Sequence, residues 1–391
     1  MRRDGFWLSS RVLALGVAAA CGQTPAQAPR SSSTEPVRLV FLHDFNPPRA
    51  GAEPVGALEA RWGADRLGGL SGLYFDPAES TLYAISDNCT RAPARIYAFA
   101  VELTPAQLRI APRSVLFLQD TRGGSLFDFC DAESITSDAG GGFLVGTENH
   151  DDEPGLRWPS ILRVARDGRI TASLPLPEAF LPEPDGVPMR GTRTNLAFEG
   201  LTRSPSGRWL TAITEAALRQ DGPIASFERG TTVRLLRWDL SAPAPPVEFR
   251  YLTEPVPRPA SGAAPIQHNG VAELASLDDE RLLVLERAYV APEHGAGKNT
   301  VRIFEIRIPR ATAANATSGS ASPLLAKRLV LDLDDILGQL EPGQQTLDNL
   351  EGMTFGPRLP SGEQSLLLVS DDNFSSQQRT MFLAFRIAEG R

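Results

Sequence analysis

Several common chemistries lack their raw material in this chain. Three cysteines and four histidines (His43, His150, His268 and His294) are spread over 391 residues. None falls at the close ligand spacing that zinc sites use, so zinc is disfavoured. There is no G-x-S-x-G elbow, no P-loop and no Rossmann glycine pattern. That counts against a serine esterase built on such an elbow and against nucleotide or dinucleotide chemistry. Basic residues are outnumbered, with 39 Lys and Arg against 47 Asp and Glu and a formal net charge of -8. Nucleic acid needs clustered cations to neutralise its phosphates, so it is not an expected partner. Long stretches of 3.6-residue periodicity are also scarce. The most apolar run, Val12 to Ala20, is too short to span a bilayer.

What the chain does have is glycine (34), proline (32) and many short apolar runs. That balance predicts an all-β protein of short strands joined by turns. The N-terminus has the layout of a secretory signal: Arg2 and Arg3, the apolar run, then Ala18-Ala19-Ala20-Cys21. Residues 1–21 read as a signal peptide ending in a lipobox, with Cys21 lipidated. Ala26-Gln27-Ala28 is a competing A-x-A cleavage site. Residues 22–36, rich in Pro, Ala, Ser and Gln, read as a flexible tether. The expected location is periplasmic, or membrane-anchored through that lipid alone. In an oxidising compartment Cys89 and Cys130 suggest a disulfide, the alternative being two separate buried thiols.

A hairpin recurs along residues 37–391. Its copies are "GLSGLYFDPAESTLYAISDN", "DAESITSDAGGGFLVGTENH", "FEGLTRSPSGRWLTAITEA", "NGVAELASLDDERLLVLERAY" and "LEGMTFGPRLPSGEQSLLLVSDDNF". Each is an apolar strand, a turn, a second apolar strand and a terminal acid. Two further strands follow most copies, and "VRLVFLHDF" near the N-terminus supplies the one the last copy lacks. The prediction is a β-propeller of five four-stranded blades, closed by the N-terminal strand, in a single domain. Six blades are the alternative, with an irregular one hidden in 176–197 or 311–346. Trp158, Trp209 and Trp238 fall at strand positions and read as core.

In an antiparallel hairpin the start of the first strand lies beside the end of the second. Glu133, Glu199 and Glu351 occupy the first position, where the first copy has Ser71 and the fourth aligns on Asn269-Gly270. Asp87, Glu148, Glu215, Glu286 and Asp371 occupy the second. All should meet at one mouth of the propeller. Like charges a few ångströms apart cost roughly 4 kcal/mol per pair at an intermediate dielectric, so protons or cations must relieve them. Hard oxygens in such number suit Ca²⁺. Asp87, Glu133, Glu215, Asp371, Asp372 and Asn373 are the candidate metal ligands. Arg91, His150, Arg193 and Arg287 flank the acids and are candidates for binding an anionic substrate. Glu148, Glu199, Glu286 and Glu351 are candidates for activating water.

The stretches "GGLSGLYFD…LYAISDN", "FEGLT", "LLVLERAY", "LEGMTFGP" and "LLLVSDDNF" resemble the bacterial family known as esterase-like activity of phytase, over essentially all of 37–388. The resemblance implies a secreted or lipid-anchored propeller that hydrolyses phosphoesters. It implies site roles for Asp87, Glu148, Glu199, Glu286, Glu351, Asp371 and Asp372, with Arg287 beside them. Three functions stand. One is a Ca²⁺-dependent hydrolase of small phosphorylated or ester substrates, acting as a monomer. Another is a cation-ordered binding module without turnover, and the third is a lactonase-like hydrolase.

Overall fold

A computed structural model describes residues 36–47, 67–87, 94–124, 131–149, 158–183, 187–259, 264–293, 296–309 and 321–389. The signal segment, residues 22–35 of the tether, Cys21, Cys89, Cys130, Arg91 and His150 lie outside these residues. No helix among the described residues is long and apolar enough to cross a membrane.

The described chain forms five four-stranded antiparallel sheets, the blades of a five-bladed propeller. Blade 1 runs β2 (Leu70–Asp76), β3 (Thr81–Ser86), β4 (Arg95–Thr104) and β5 (Gln107–Phe117). Blade 2 is β6 (Ala132–Ser137), β7 (Phe143–Thr147), β8 (Ser160–Val164) and β9 (Ile170–Ser173). Blade 3 is β10 (Phe198–Arg203), β11 (Trp209–Thr214), β12 (Thr232–Asp239) and β13 (Val247–Leu252). Blade 4 is β14 (Ile266–Ser276), β15 (Arg281–Ala291), β16 (Lys298–Arg307) and β17 (Lys327–Asp332). Blade 5 is β18 (Asn349–Arg358), β19 (Gln364–Asp371), β20 (Phe382–Glu389) and, from the other end of the chain, β1 (Val37–Phe45). β1 pairs antiparallel with β20, from Val37 opposite Glu389 to Phe45 opposite Phe382. The ring is thus closed by hydrogen bonds between the two ends of the domain, which caps what would be an open edge. Among the described residues of 176–197 there is a short 3₁₀ turn, Glu178–Phe180, and no sixth sheet.

Each pair of neighbouring blades encloses its own apolar core, so middle strands are buried on both faces. β19, QSLLLVSD, is buried along nearly its whole length. Such a strand reads as a continuous apolar run rather than an alternation. Leu70, Leu82 and Phe99 of blade 1 pack on Leu367, Val369 and Phe382 of blade 5. Ile213, Leu235 and Tyr251 of blade 3 pack on Val271, Val284 and Ile306 of blade 4. Trp238 is buried between blades 2 and 3, and Trp209 is partly buried. The expectation for Trp158 fails. It is 51% exposed, because it precedes β8 rather than lying in it, and its indole N–H donates to the Pro182 carbonyl at 3.4 Å.

The first strands of the blades, β2, β6, β10, β14 and β18, touch in a closed circuit around the axis. They approach so closely that side chains become obstacles. A Cβ on Gly352 would lie 2.6 Å from the Ser71 carbonyl oxygen, and one on Gly72 would lie 2.7 Å from that of Glu133. Gly352→Ala should therefore force neighbouring inner strands apart and destabilise the domain by roughly 1–3 kcal/mol. A drop in the urea midpoint at unchanged slope checks this; an unchanged midpoint would mean the inner strands have slack.

Candidate functional site at the acidic mouth

Every first strand carries a β-bulge at the same level. The register jumps between Leu70 and Leu73 in β2, Ala132 and Ser134 in β6, Phe198 and Gly200 in β10, Val271 and Glu273 in β14, and Leu350 and Gly352 in β18. The extra residue is Glu133, Glu199 and Glu351 in blades 2, 3 and 5. A bulge re-aims a side chain that a regular pleat would send into a blade core. Opposite the bulges, at the ends of the second strands, stand Asp87, Glu148, Glu215 and Asp371.

The fourth blade breaks the pattern in a way its sequence disguised. Val271 pairs with Glu286, and Glu273 with Leu285. The bulged residue is therefore Ala272, and the residue equivalent to Asp371 is Arg287. The alignment on Asn269-Gly270 was two to three residues early, and Glu286 was one residue from the mouth position. A one-residue slip in a strand reverses the face. Glu286 accordingly points away, into a network of its own. It accepts from the Tyr251 hydroxyl, Lys327 Nζ (2.7 Å), the Glu254 backbone N–H (2.8 Å) and Asn269 Nδ2 (3.3 Å). Glu273 also leaves the mouth. It reaches between blades, where its Oε1 accepts from the Leu201 (3.0 Å) and Leu274 (2.8 Å) N–H groups.

Arg287 inserts a guanidinium among the acids. Its Nη2 lies 3.2 Å from Glu351 Oε1 and 3.6 Å from Glu215 Oε1. Asn349 Nδ2 donates to Glu351 Oε1 at 2.8 Å, and Ser71 Oγ lies 3.4 Å from Oε2. Ser71 binds Glu133 more closely, donating to its Oε2 at 2.6 Å. So the one hydroxyl in the ring of first-strand positions bridges two acids. Gly270 leaves room for the Glu215 side chain, where a Cβ would sit 3.0 Å from its Oε1.

Two sets of three carboxylates converge, each set offering oxygens within 4.8 Å of one another: Asp131, Glu133 and Glu148, and Glu148, Glu199 and Glu215. Glu148 accepts from the Ala197 N–H through Oε1. Its Oε2, and the Oε2 of Glu199, are buried without a hydrogen-bond partner. Buried acceptors are ordinarily satisfied, so these two oxygens need a proton or a cation. Burial first, and then neighbouring carboxylates, hold Glu133, Glu148 and Glu199 well above the ordinary carboxylate range. Asp371 is raised by burial, by Asp87 and by Glu351. Glu351 is raised by burial too, but Arg287 draws it back down.

Other expected residues serve structure. Asp372 Oδ1 accepts from the Gly69 (3.2 Å) and Phe374 (3.0 Å) N–H groups. Asn373 is exposed in a left-handed turn conformation, φ 47°. Arg193 donates to the Ala217 (3.0 Å) and Gly222 (2.6 Å) carbonyls, tying loops together. Two residues join the mouth that the hairpin pattern did not select. Asp131 sits two residues before the Glu133 bulge. His268 rides on the mouthward extension of β14, with Nδ1 3.5 Å from Glu215 Oε1. Burial and Arg287 lower its pKa against the pull of Glu215, which favours the neutral ring. Neither follows from the repeat, although Asp131 adjoins a bulge already marked by an acid.

The chain belongs to the phytase-like family described as esterase-like activity of phytase, whose profile matches residues 65–374. It is also similar to an uncharacterized secreted protein of Arthroderma benhamiae, 28% identical over 144 residues that cover 31% of this chain. The match covers 26% of that relative, so the chain spans about a quarter of its length. Among solved structures, an α-L-arabinofuranosidase from Lactobacillus brevis is 9% identical with a TM-score of 0.40, covering 81% of this chain and 91% of that one. A gluconolactonase from Xanthomonas campestris is 13% identical with a TM-score of 0.30, covering 90% and 99%.

The raised carboxyls set a pH dependence. A group whose folded pKa is raised contributes its stability fully below the unfolded value, about 4 to 4.5, and that contribution is lost as pH rises through the folded value. In cation-free solution the Glu133→Gln/Glu199→Gln variant should match wild type near pH 4 and melt higher near pH 8. Calorimetric melts of both proteins across that range check the sign. A variant that melts lower at pH 8 would mean the carboxylates are already neutralised within the protein.

Proposed function

We propose that the mouth is the active site of an exported, cation-dependent hydrolase of ester bonds, with small phosphoesters as the first class of substrate and Ca²⁺ as the cation. The carrying observation is the pair of buried, unpartnered oxygens on Glu148 and Glu199 in a mouth whose guanidinium pairs with other acids. An anionic ester cannot approach such a surface until positive charge offsets it. The donors fit calcium: they are hard oxygens, and 4.8 Å lies within the roughly 4.6–5.2 Å span of two opposed Ca–O bonds. Asp131, Glu133, Glu148, Glu199 and Glu215 would hold it. Bound there, it supplies charge that offsets both the carboxylates and the oxygens of the substrate.

The remaining groups fall into roles. Arg287 presents a planar fork that orients an anionic oxygen at the blade 4–5 side of the mouth. Glu351, drawn toward ionisation by Arg287, takes a proton from water as the water oxygen bonds to phosphorus. The ester oxygen departs as its bond to phosphorus breaks. Asp371, raised by burial and by Asp87 and Glu351, gives that oxygen its proton. Burial raises both carboxyls, Asp371 well above its ordinary range and Glu351 with Arg287 drawing it back down, and acid–base hydrolysis uses carboxyls whose surroundings set them apart in this way. The hairpin of blade 5 thus carries base and acid on adjoining strands.

With CaCl₂ present, release of phosphate from p-nitrophenyl phosphate or phytate is expected. Glu351→Gln should lower kcat by roughly 10²- to 10⁴-fold, the range general-base catalysis spans. Arg287→Lys should raise KM more than it lowers kcat. No release from phosphomonoesters, phosphodiesters or phytate would reject phosphoester chemistry, and turnover of lactones instead would move the reaction to ring esters. Export follows the signal-like N-terminus, with Cys21 as the anchoring residue. Cys21→Ser should shift the protein from the membrane to the soluble fraction; an unchanged partition would favour cleavage after Ala28.

A further inference from the structure

We propose that the upper part of blade 4 is a subsite for the alcohol portion of the ester, selective for alcohols that carry hydroxyl groups, as in an aldose phosphate. This rests on the phosphoester reading of the mouth and deepens it. The first ground is the length of one hairpin. In blades 1, 2 and 3 the pairing of the first two strands stops at the bulge, with Leu70 opposite Ser86, Ala132 opposite Thr147 and Phe198 opposite Thr214. In blade 5 it runs one pair further, to Asn349 opposite Asp371. In blade 4 it continues five pairs past the equivalent rung, Val271 opposite Glu286, and ends with Ile266 opposite Ala291. At about 3.4 Å per residue, that is roughly 17 Å of sheet standing above the acids. β16 widens it, pairing Asn299 with Tyr289.

The alternation of a strand decides what this wall shows to the mouth. Val290 packs with Ala225, Val256 and Ala264, and Glu286 meets Tyr251, so the even-numbered residues of β15 face blade 3. Arg287 and Tyr289 therefore face the other way, toward Glu351 and blade 5. Val301, opposite Arg287, lies in the core between blades 4 and 5 on that same side. Cross-strand partners share a face, so the rung above Arg287 is His268, Tyr289 and Asn299. A phosphoryl group oriented by Arg287 has this rung directly above it.

Unmet hydrogen bonding is the second ground. Arg287 Nε, His268 Nε2 and Asn299 Oδ1 are buried with no hydrogen-bond partner among the described residues. Buried polar atoms are ordinarily satisfied, so each calls for one. Arg287 Nε donates and suits an anionic oxygen. Asn299 Oδ1 accepts. His268 turns Nδ1 toward Glu215 Oε1, so in the neutral ring the proton sits on Nδ1 and Nε2 accepts as well. A donor at the level of the acids and two acceptors one rung higher match an ester with a charged phosphoryl end and hydroxyls on its alcohol. The His268 side chain is 20% exposed, and Tyr289 and Asn299 are partly exposed, so side-chain adjustment opens these atoms to a ligand. An alcohol without hydroxyls would leave both acceptors unpaired, which is the basis of the selectivity.

Steady-state kinetics with CaCl₂ on two phosphomonoesters tests the assignment. Glucose 6-phosphate has an alcohol portion that carries hydroxyls; phenyl phosphate has one that carries none. The readout is the ratio of their kcat/KM values, which cancels any change common to both. Wild type should hydrolyse both, and hydrolysis of glucose 6-phosphate alone would also support the subsite. His268→Phe and Asn299→Leu should each lower the ratio roughly tenfold or more, mainly by raising KM for glucose 6-phosphate, because discrimination is lost with the acceptor. Thermal melts check that each variant folds, and Asn299→Leu keeps the test open should His268→Phe fail to. A ratio unchanged in the folded variants, or a wild type that hydrolyses phenyl phosphate alone, would overturn the subsite and leave the active site standing. No turnover of either ester would overturn both.

Discussion

The crowding of five inner strands around one axis is the constraint on which the rest depends. Side chains there would collide, so Gly72, Gly200 and Gly352 follow the bulged residue in three blades. In blade 2 the equivalent residue is Ser134, and the opposing strand compensates with Gly146, where a Cβ would collide with Ser134 Oγ. In blade 4 it is Glu273, whose carboxyl turns toward blade 3 and takes the Leu201 N–H. Each blade solves the same steric problem differently. The common device is the bulge, which removes one residue from the pleat and turns it toward the axis.

The bulge converts a packing solution into an electrostatic problem. A ring of inner strands needs no acids to close. Placing Glu133, Glu199 and Glu351 at the bulges, opposite Glu148, Glu215 and Asp371, buries carboxylates that repel one another. Burial and mutual charge raise most of them. Such an arrangement costs stability in the absence of compensation. The inter-blade cores, such as those between blades 5 and 1 and between blades 3 and 4, carry the cost.

The blade count, the strand pairs and the closing role of Val37–Phe45 were legible because hairpins repeat and because doubly buried strands read as apolar runs. The side of the ring on which the acids meet was legible from antiparallel pairing alone. The fourth blade was not. "VLERAY" offers an acid and a base in succession, and only the register, fixed by the bulge at Ala272, says which of them faces the mouth. Asp372 was equally ambiguous beside Asp371. A turn that needs an acceptor for the Gly69 and Phe374 N–H groups claims it. His268 could not be found by spacing, since its approach to Glu215 joins strands of different blades.

The replacement of a fifth acid by Arg287 gives the mouth a direction. With an acid there, the ring would be uniformly negative and cations could settle at any point around it. With a guanidinium between Glu215 and Glu351, positive charge is built in at blades 4 and 5, and the unmet negative charge is concentrated at blades 2 and 3. Under the proposed function, cations would be drawn to one side and an anionic oxygen to the other. Glu351 and Asp371 belong to blade 5; burial raises both, and Arg287 draws Glu351 back down. Under the proposed function, a substrate bridging the two sides would lie across that pair, where proton transfer at its ester bond can take place.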